Sequence, residues 1–243
     1  MPSHFSSIGL LVESEDDLRS IVESVGSDSI SLPSANGNYF QWASPCGAEL
    51  WIQANNENEI EGVNPHFAGP ARLKARLNTY YPDSMDGAFH AWADPEDNEL
   101  EGAYPLYFDA PDASRHQNLE LPRIVEIQVA AFAHELTVHD DLDAFNRSQT
   151  DEELKFASES FIPSGLFGAD DEGARAEAFF TGTVIASKLK TNPLHGHHYW
   201  WALVRSLGGE FDVVADPELV DQPIQVGNIL QGSFWLSGRI QES

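Results

Sequence analysis

Leu73, Ala75 and Leu77 alternate with Arg72, Lys74, Arg76 and Asn78. Only an extended strand turns this two-residue period into one apolar face and one wet face. Strand signals recur along the chain. Residues 39–43 and 48–53 flank Ser44-Pro45-Cys46-Gly47, where proline second and glycine fourth suit a type I turn. Residues 88–93 and 103–108 are separated by an acidic turn beginning Asp94-Pro95. The run 124–138 carries alanines that suit a helix. Its Ile124, Val125, Ile127, Val129 and Phe132 favour a long buried strand, which is the assignment adopted. The last third reads as an antiparallel meander over 178–186, 199–206, 210–215 and 229–240. Its turns lie at Asn192-Pro193 with Gly196, at Gly208-Gly209 and from Asp216-Pro217, and a glycine break falls near Gly232.

Helices are few. Ser14 caps one, Asp17 closes its capping box, Leu18, Ile21, Val22 and Val25 form its apolar stripe, and Gly26 ends it. An apolar strand is expected before it, over 5–12. Short helices are expected over 140–145 and 151–157, the second opened by Thr150 with Glu153, and an exposed connection over 163–176. The fold class is therefore α+β and β-rich: an N-terminal mixed lobe plus a C-terminal antiparallel meander or small barrel. No fixed-period repeat is visible. The turn-rich stretch 110–122 divides the chain into lobes 1–118 and 119–243, the second barrel-like from about 176, packing as one unit.

The 243 residues, 42% of them apolar, are enough for a sizeable core without staples. The single cysteine, Cys46, excludes an intramolecular disulfide and any site built from several thiolates. The first residues have no basic lead, and no apolar run approaches the ~20 residues of a membrane span, so a cytoplasmic protein is expected. Against 39 acidic residues stand 13 basic ones, a formal charge of −26 that repels nucleic acid and anionic membrane. The remaining partner classes are a small molecule or another protein.

His4 at the start of the first expected strand, the helix after it, and SPCGAELWIQ at the end of the paired strands resemble a glyoxalase-like, vicinal-oxygen-chelate half-module over residues 4–53. The resemblance implies a divalent metal held by His4 and Glu49 and an enzyme acting on a small oxygenated substrate. Such a site needs at least one further ligand, for which His66 and His90 are candidates by residue type alone. In that family the glutamate commonly lies four residues after the turn glycine. Here Trp51 fills that place and Glu49 lies two after Gly47. The C-terminal meander is loosely similar to an oligonucleotide-binding fold. Its aromatics, Tyr199, Trp200, Trp201, Phe211, Phe234 and Trp235, suit core packing better than base stacking in so acidic a chain.

Other motifs carry less. His134 and His139 have one residue too many between them for the zinc-protease motif. On a helix that spacing turns them roughly 140° apart, and on a strand it sends them to opposite faces. His195, His197 and His198 surround Gly196 at a polar hairpin tip. No nucleophile elbow, P-loop or dinucleotide fingerprint is present. The reading favoured on these grounds is a non-catalytic ligand-binding or protein-interaction protein. Its candidate surfaces are Trp42 with Trp51 and the basic face Arg72, Lys74 and Arg76. The alternative is the metal-dependent glyoxalase-like or dioxygenase-like enzyme.

Overall fold

The computed structural model describes residues 2–83, 85–96, 100–150, 155–164 and 175–241. Among them the chain forms helix α1 (Glu15–Val25) and strands β1 (Ile30–Pro33), β2 (Gly37–Ala43), β3 (Ala48–Asn55) and β4 (Ile60–Phe67). Strands β5 (Leu73–Asp83), β6 (Asp86–Ala93), β7 (Tyr104–Asp109) and β8 (Arg123–His139) follow, then helix α2 (Leu142–Ser148). The chain continues through β9 (Ser160–Pro163), β10 (Glu177–Thr191), β11 (His198–Ser206), β12 (Gly209–Ala215) and β13 (Ile229–Ile240). The protein is thus β-rich, with two short α-helices among the described residues. No described helix is long and apolar enough to cross a membrane.

Strands β1 to β4 make a sheet in chain order, and the other nine make a second sheet that closes on itself twice. In one ring the meander β5-β6-β7 is completed by β13, parallel to β7, and by β8, antiparallel to β5. In the other the meander β10-β11-β12 is completed by β8, parallel to β12, and by β13, antiparallel to β10. The antiparallel pair β8–β13 belongs to both rings. Each ring is therefore built from three meander strands, a short 3-10 turn (Ala113–His116 or Pro217–Leu219) and a long strand that also closes its partner. Ring closure removes free sheet edges that would otherwise invite pairing with other chains.

This topology explains the ambiguous run in β8. Ile127, Val129, Ala131 and Ala133 face the common interior of the rings, while Ala130 and Phe132 lie under the N-terminal sheet. Buried on both faces, the strand loses its alternation and reads as continuous apolar sequence. On β5, with its other face in water, the alternation survives: Leu73, Ala75 and Leu77 are buried, Arg72 and Lys74 exposed. At the centre of the second ring the Phe180 ring stacks on Phe234 at 4.1 Å and on Phe211 at 5.0 Å, and Phe161 covers both Phe180 and Phe211.

The segment 5–12 is not a strand. Ser6–Ile8 form a 3-10 turn that ends at Gly9 with φ 72°. Ser3 and Ser6 exchange side-chain and backbone hydrogen bonds, and Ser7 N–H donates to the Ser3 carbonyl at 3.1 Å, which offers the backbone an alternative to a sheet ladder. Ile8 and Leu10 still reach the core beside Ile21 and Val25 of α1. Ser14 caps α1 by accepting from Asp17 N–H. Asp141 caps α2, which begins two residues later than expected. Strands β1, β4 and β9 carry no clear periodicity and escape the sequence reading. Most of the expected 151–157 helix and of the 163–176 connection lies outside the described residues, and 155–157 are not helical.

Replacing Phe180 by alanine removes the ring on which the second stack is built. Such a truncation is expected to cost about 3–5 kcal/mol, read as a lower urea midpoint with an unchanged slope. A loss under ~1 kcal/mol contradicts the packing described.

Candidate functional site

Two polar regions stand out, one sealed and one open. The sealed region lies where the N-terminal sheet meets β8, β12 and β13. Gln128 donates from its amide nitrogen to the Phe67 carbonyl at 3.0 Å and to Asp212 at 2.8 Å, so its oxygen is left as an acceptor. That oxygen takes His66 Nε2–H at 2.9 Å, which makes His66 Nδ1 the acceptor for the Ser237 hydroxyl at 2.8 Å. Asp212 also accepts from Trp201 Nε1–H and from Ala71 N–H. Gly69 crosses here because any side chain would run into the Asp212 carboxylate. The order serine, histidine, glutamine, aspartate looks like a proton relay. Ser237 is 1% exposed and points at His66, so a substrate cannot reach it, and the chain serves to lock the layers together.

Burial raises the Asp212 carboxyl above its ordinary range, opposed by its three donors. Burial likewise pushes His66 down to about 3, with the Arg239 charge adding to the effect. Glu49 stands opposite His66 in the β3–β4 register and continues the seam. It accepts from Gln41 and Trp51 at 2.9 Å and meets Arg239 at 3.5 Å, while the Arg239 guanidinium lies 4.7 Å above the Trp51 ring. Burial raises the Glu49 carboxyl, and Arg239 and the two donors oppose that.

The structure does not bring His4 to Glu49. His4 lies against His134 and Trp235, and Glu49 is enclosed with Arg239. His66 spends both ring nitrogens inside the seam, and His90 stacks on Tyr107 at 4.7 Å. No group of three or more His, Cys, Asp or Glu side chains with metal-holding geometry occurs among the described residues. Trp42 and Trp51 are both buried, the first against the N-terminal core and the second with Tyr39 and Met85.

Of the basic face, Arg72 and Lys74 are exposed, whereas Arg76 is half-buried and donates to the Glu96 carbonyl at 3.3 Å. Lys74 borders a groove of about 810 Å³ at one end of the first ring. Strand alternation turns Lys74 outward from β5, and the start of β8 supplies Arg123, Ile124, Val125 and Glu126. The turn Ala113–His116 brings His116, and the end of β13 brings Ile240 and Gln241, tied down where Gln241 N–H donates to the Glu126 carbonyl at 2.9 Å. Leu119, Val125 and Ile240 extend the ring core outward as an apolar floor. Glu126, the only carboxylate among the described residues of the lining, is engaged by Arg72 at 3.3 Å. Behind His116 lies buried Asp112, 3.3 Å from both His116 and Arg115. Burial works against the Asp112 charge, but His116, Arg239 and Arg115 together hold its carboxyl below the usual range.

No family model, curated protein or solved structure matches this chain.

Of the groove residues, Lys74 is the one marked by sequence. Arg123, His116 and Ile240 come from three separate segments, each unremarkable alone, and only the ring closure brings them together.

The sealed histidine has a measurable consequence. Its folded pKa of about 3 lies below the ordinary 6.5, so its contribution to stability is complete above pH 6.5 and is lost as pH falls towards 3. By pH 5 that loss is about 2 kcal/mol. The difference in unfolding free energy between pH 7.5 and pH 5.0, read from urea titrations, is expected to be smaller in His66→Gln than in the unmodified protein by roughly that amount. Equal pH dependence in both proteins contradicts a neutral buried His66.

Proposed function

We propose that the protein is a non-catalytic binding protein whose ligand is a small amphipathic anion, a carboxylate on an apolar body, seated in the groove beside β5 and β8. One observation carries this reading: in a chain of formal charge −26, the open groove of about 810 Å³ joins an apolar floor to Lys74, Arg123 and His116. The volume suits a small-molecule site, where apolar walls supply affinity and a few charged groups fix orientation. A guanidinium and an ammonium at the rim suit a carboxylate head, and Leu119, Val125 and Ile240 suit its tail. Among the described residues Arg123 has no ion-pair partner, so a ligand carboxylate meets an arginine that need not first abandon a protein carboxylate. The acidic remainder of the surface acts as negative selection, since anions are repelled from most of it and tolerated where the basic side chains gather.

Calorimetric titration with decanoate tests the proposal. Decanoate is expected to bind at one site, with affinity lowered at least about tenfold by Arg123→Glu and by Lys74→Glu, a change worth about 1.4 kcal/mol. Binding is also expected to weaken with salt, because the rim charges are solvated. Decanol is expected to bind far more weakly. Equal binding of decanol, or affinity indifferent to both charge reversals, contradicts the proposal.

A further inference from the structure

His4 and His134 lie far apart in sequence, yet their Nε2 atoms face each other at 2.8 Å. The ring centroids are 5.1 Å apart and the planes differ by 14°. The centroid separation exceeds the nitrogen separation by about the full sum of the two ring radii, the most that geometry allows, so centroid, nitrogen, nitrogen and centroid lie close to one line. The two in-plane Nε2 directions therefore point head-on at each other. In the protein as it stands, one N–H fills the gap by donating to the opposite lone pair.

Both imidazoles are held from behind. His4 sits in the cross-bonded turn that begins at Ser3, and its ring stacks on Trp235 at 4.2 Å and 10°. Trp235 is itself fixed by donating Nε1–H to Asp109 at 2.6 Å. His134 sits at a β-bulge: Glu135 pairs with Ser233 and Ala133 with Phe234, which leaves His134 as the extra residue without a ladder partner. Bulges of this kind re-aim a side chain, and this one presents an exposed imidazole to His4. Stacking, a tight turn and a bulge thus set the orientation of both ligands, and only their separation must adjust on binding.

We propose that His4 and His134 form a two-coordinate site for a monovalent d10 cation, cuprous ion being the biologically available member of that class. Imidazole nitrogen suits copper, and a collinear donor pair matches the linear geometry of such an ion. Metal–nitrogen distances of about 2 Å require a nitrogen separation of about 4 Å, so the rings must part by roughly 1 Å. His134 is exposed, which gives the pair room to open. On binding, the proton between the nitrogens moves to Nδ1 of its own ring, both Nε2 lone pairs go to the metal, and no electron is transferred. This site is independent of the groove and requires neither Glu49 nor any third ligand.

Cys46 is the chain's one thiol and a competing soft ligand, so the test uses the Cys46→Ser protein under anaerobic conditions. Cuprous ion is titrated against a chromogenic bicinchoninate competitor. One equivalent is expected to bind, with affinity lowered at least about tenfold by either His4→Asn or His134→Asn, and zinc is expected to bind at least about a hundredfold more weakly than cuprous ion. Imidazole nitrogen NMR of the otherwise unchanged protein gives a second readout that no folding defect in a variant can affect. Both Nε2 resonances are expected to shift with one equivalent of metal. Loss of binding on removing Cys46, affinity unaffected by either histidine, zinc held as tightly as cuprous ion, or unmoved Nε2 resonances each overturns the proposal.

Discussion

The pairing of β8 with β13 is the constraint on which the rest of the structure depends. Twelve residue pairs run from Ile229 opposite His139 to Ile240 opposite Ile127, and both strands then continue as walls of two different rings. Where the covering sheet also lies on it, a strand with two such duties has no wet face, which is why residues 127–133 are all buried. It also allows little room. Any side chain at Gly232 would run into the Glu135 carbonyl, and one at Gly238 into the Phe108 ring. Close approach of the two rings is thus written into the glycines of β13.

The same pair decides where chemistry can be exposed. Along its middle, the polar groups that face the N-terminal sheet must satisfy one another, and Ser237, His66, Gln128 and Asp212 do so in an unbroken chain. Buried polar groups of this kind are costly unless every member is bonded, and once bonded they fix a single packing of the layers. Away from that middle, polar groups escape the seal. The groove with Arg123 and Lys74 lies where β8 begins and β13 ends, and the bulge at His134 lies towards the other end of β8. Both proposed sites are therefore consequences of the shared strands running beyond the covering sheet.

How much of this was legible in the sequence follows from the physics of each element. Strand β5 was plain because its outer face is wet, α1 because its cap and stripe are local, and the last meander because proline, asparagine and glycine mark its turns. The 5–12 segment misled because apolar residues suggested a strand where a serine-rich turn claims the backbone hydrogen bonds. The double ring left little trace, since its two units share topology but differ in strand and loop lengths and therefore have no fixed period. The site was legible only where one strand carried it. Lys74 stood out on β5, whereas Arg123, His116 and the partnership of His4 with His134 are tertiary facts that no local pattern records.

If β8 and β13 unite the rings, the rings cannot unfold separately. Native-state hydrogen exchange resolved by residue tests this most directly, because it reports the free energy at which each segment opens. The account predicts that core amides of β5 to β7 and of β10 to β12 exchange at one common free energy, equal to that of β8 and β13 and to global unfolding. A ring whose amides open together at a distinctly lower free energy, while the other ring stays protected, would contradict it.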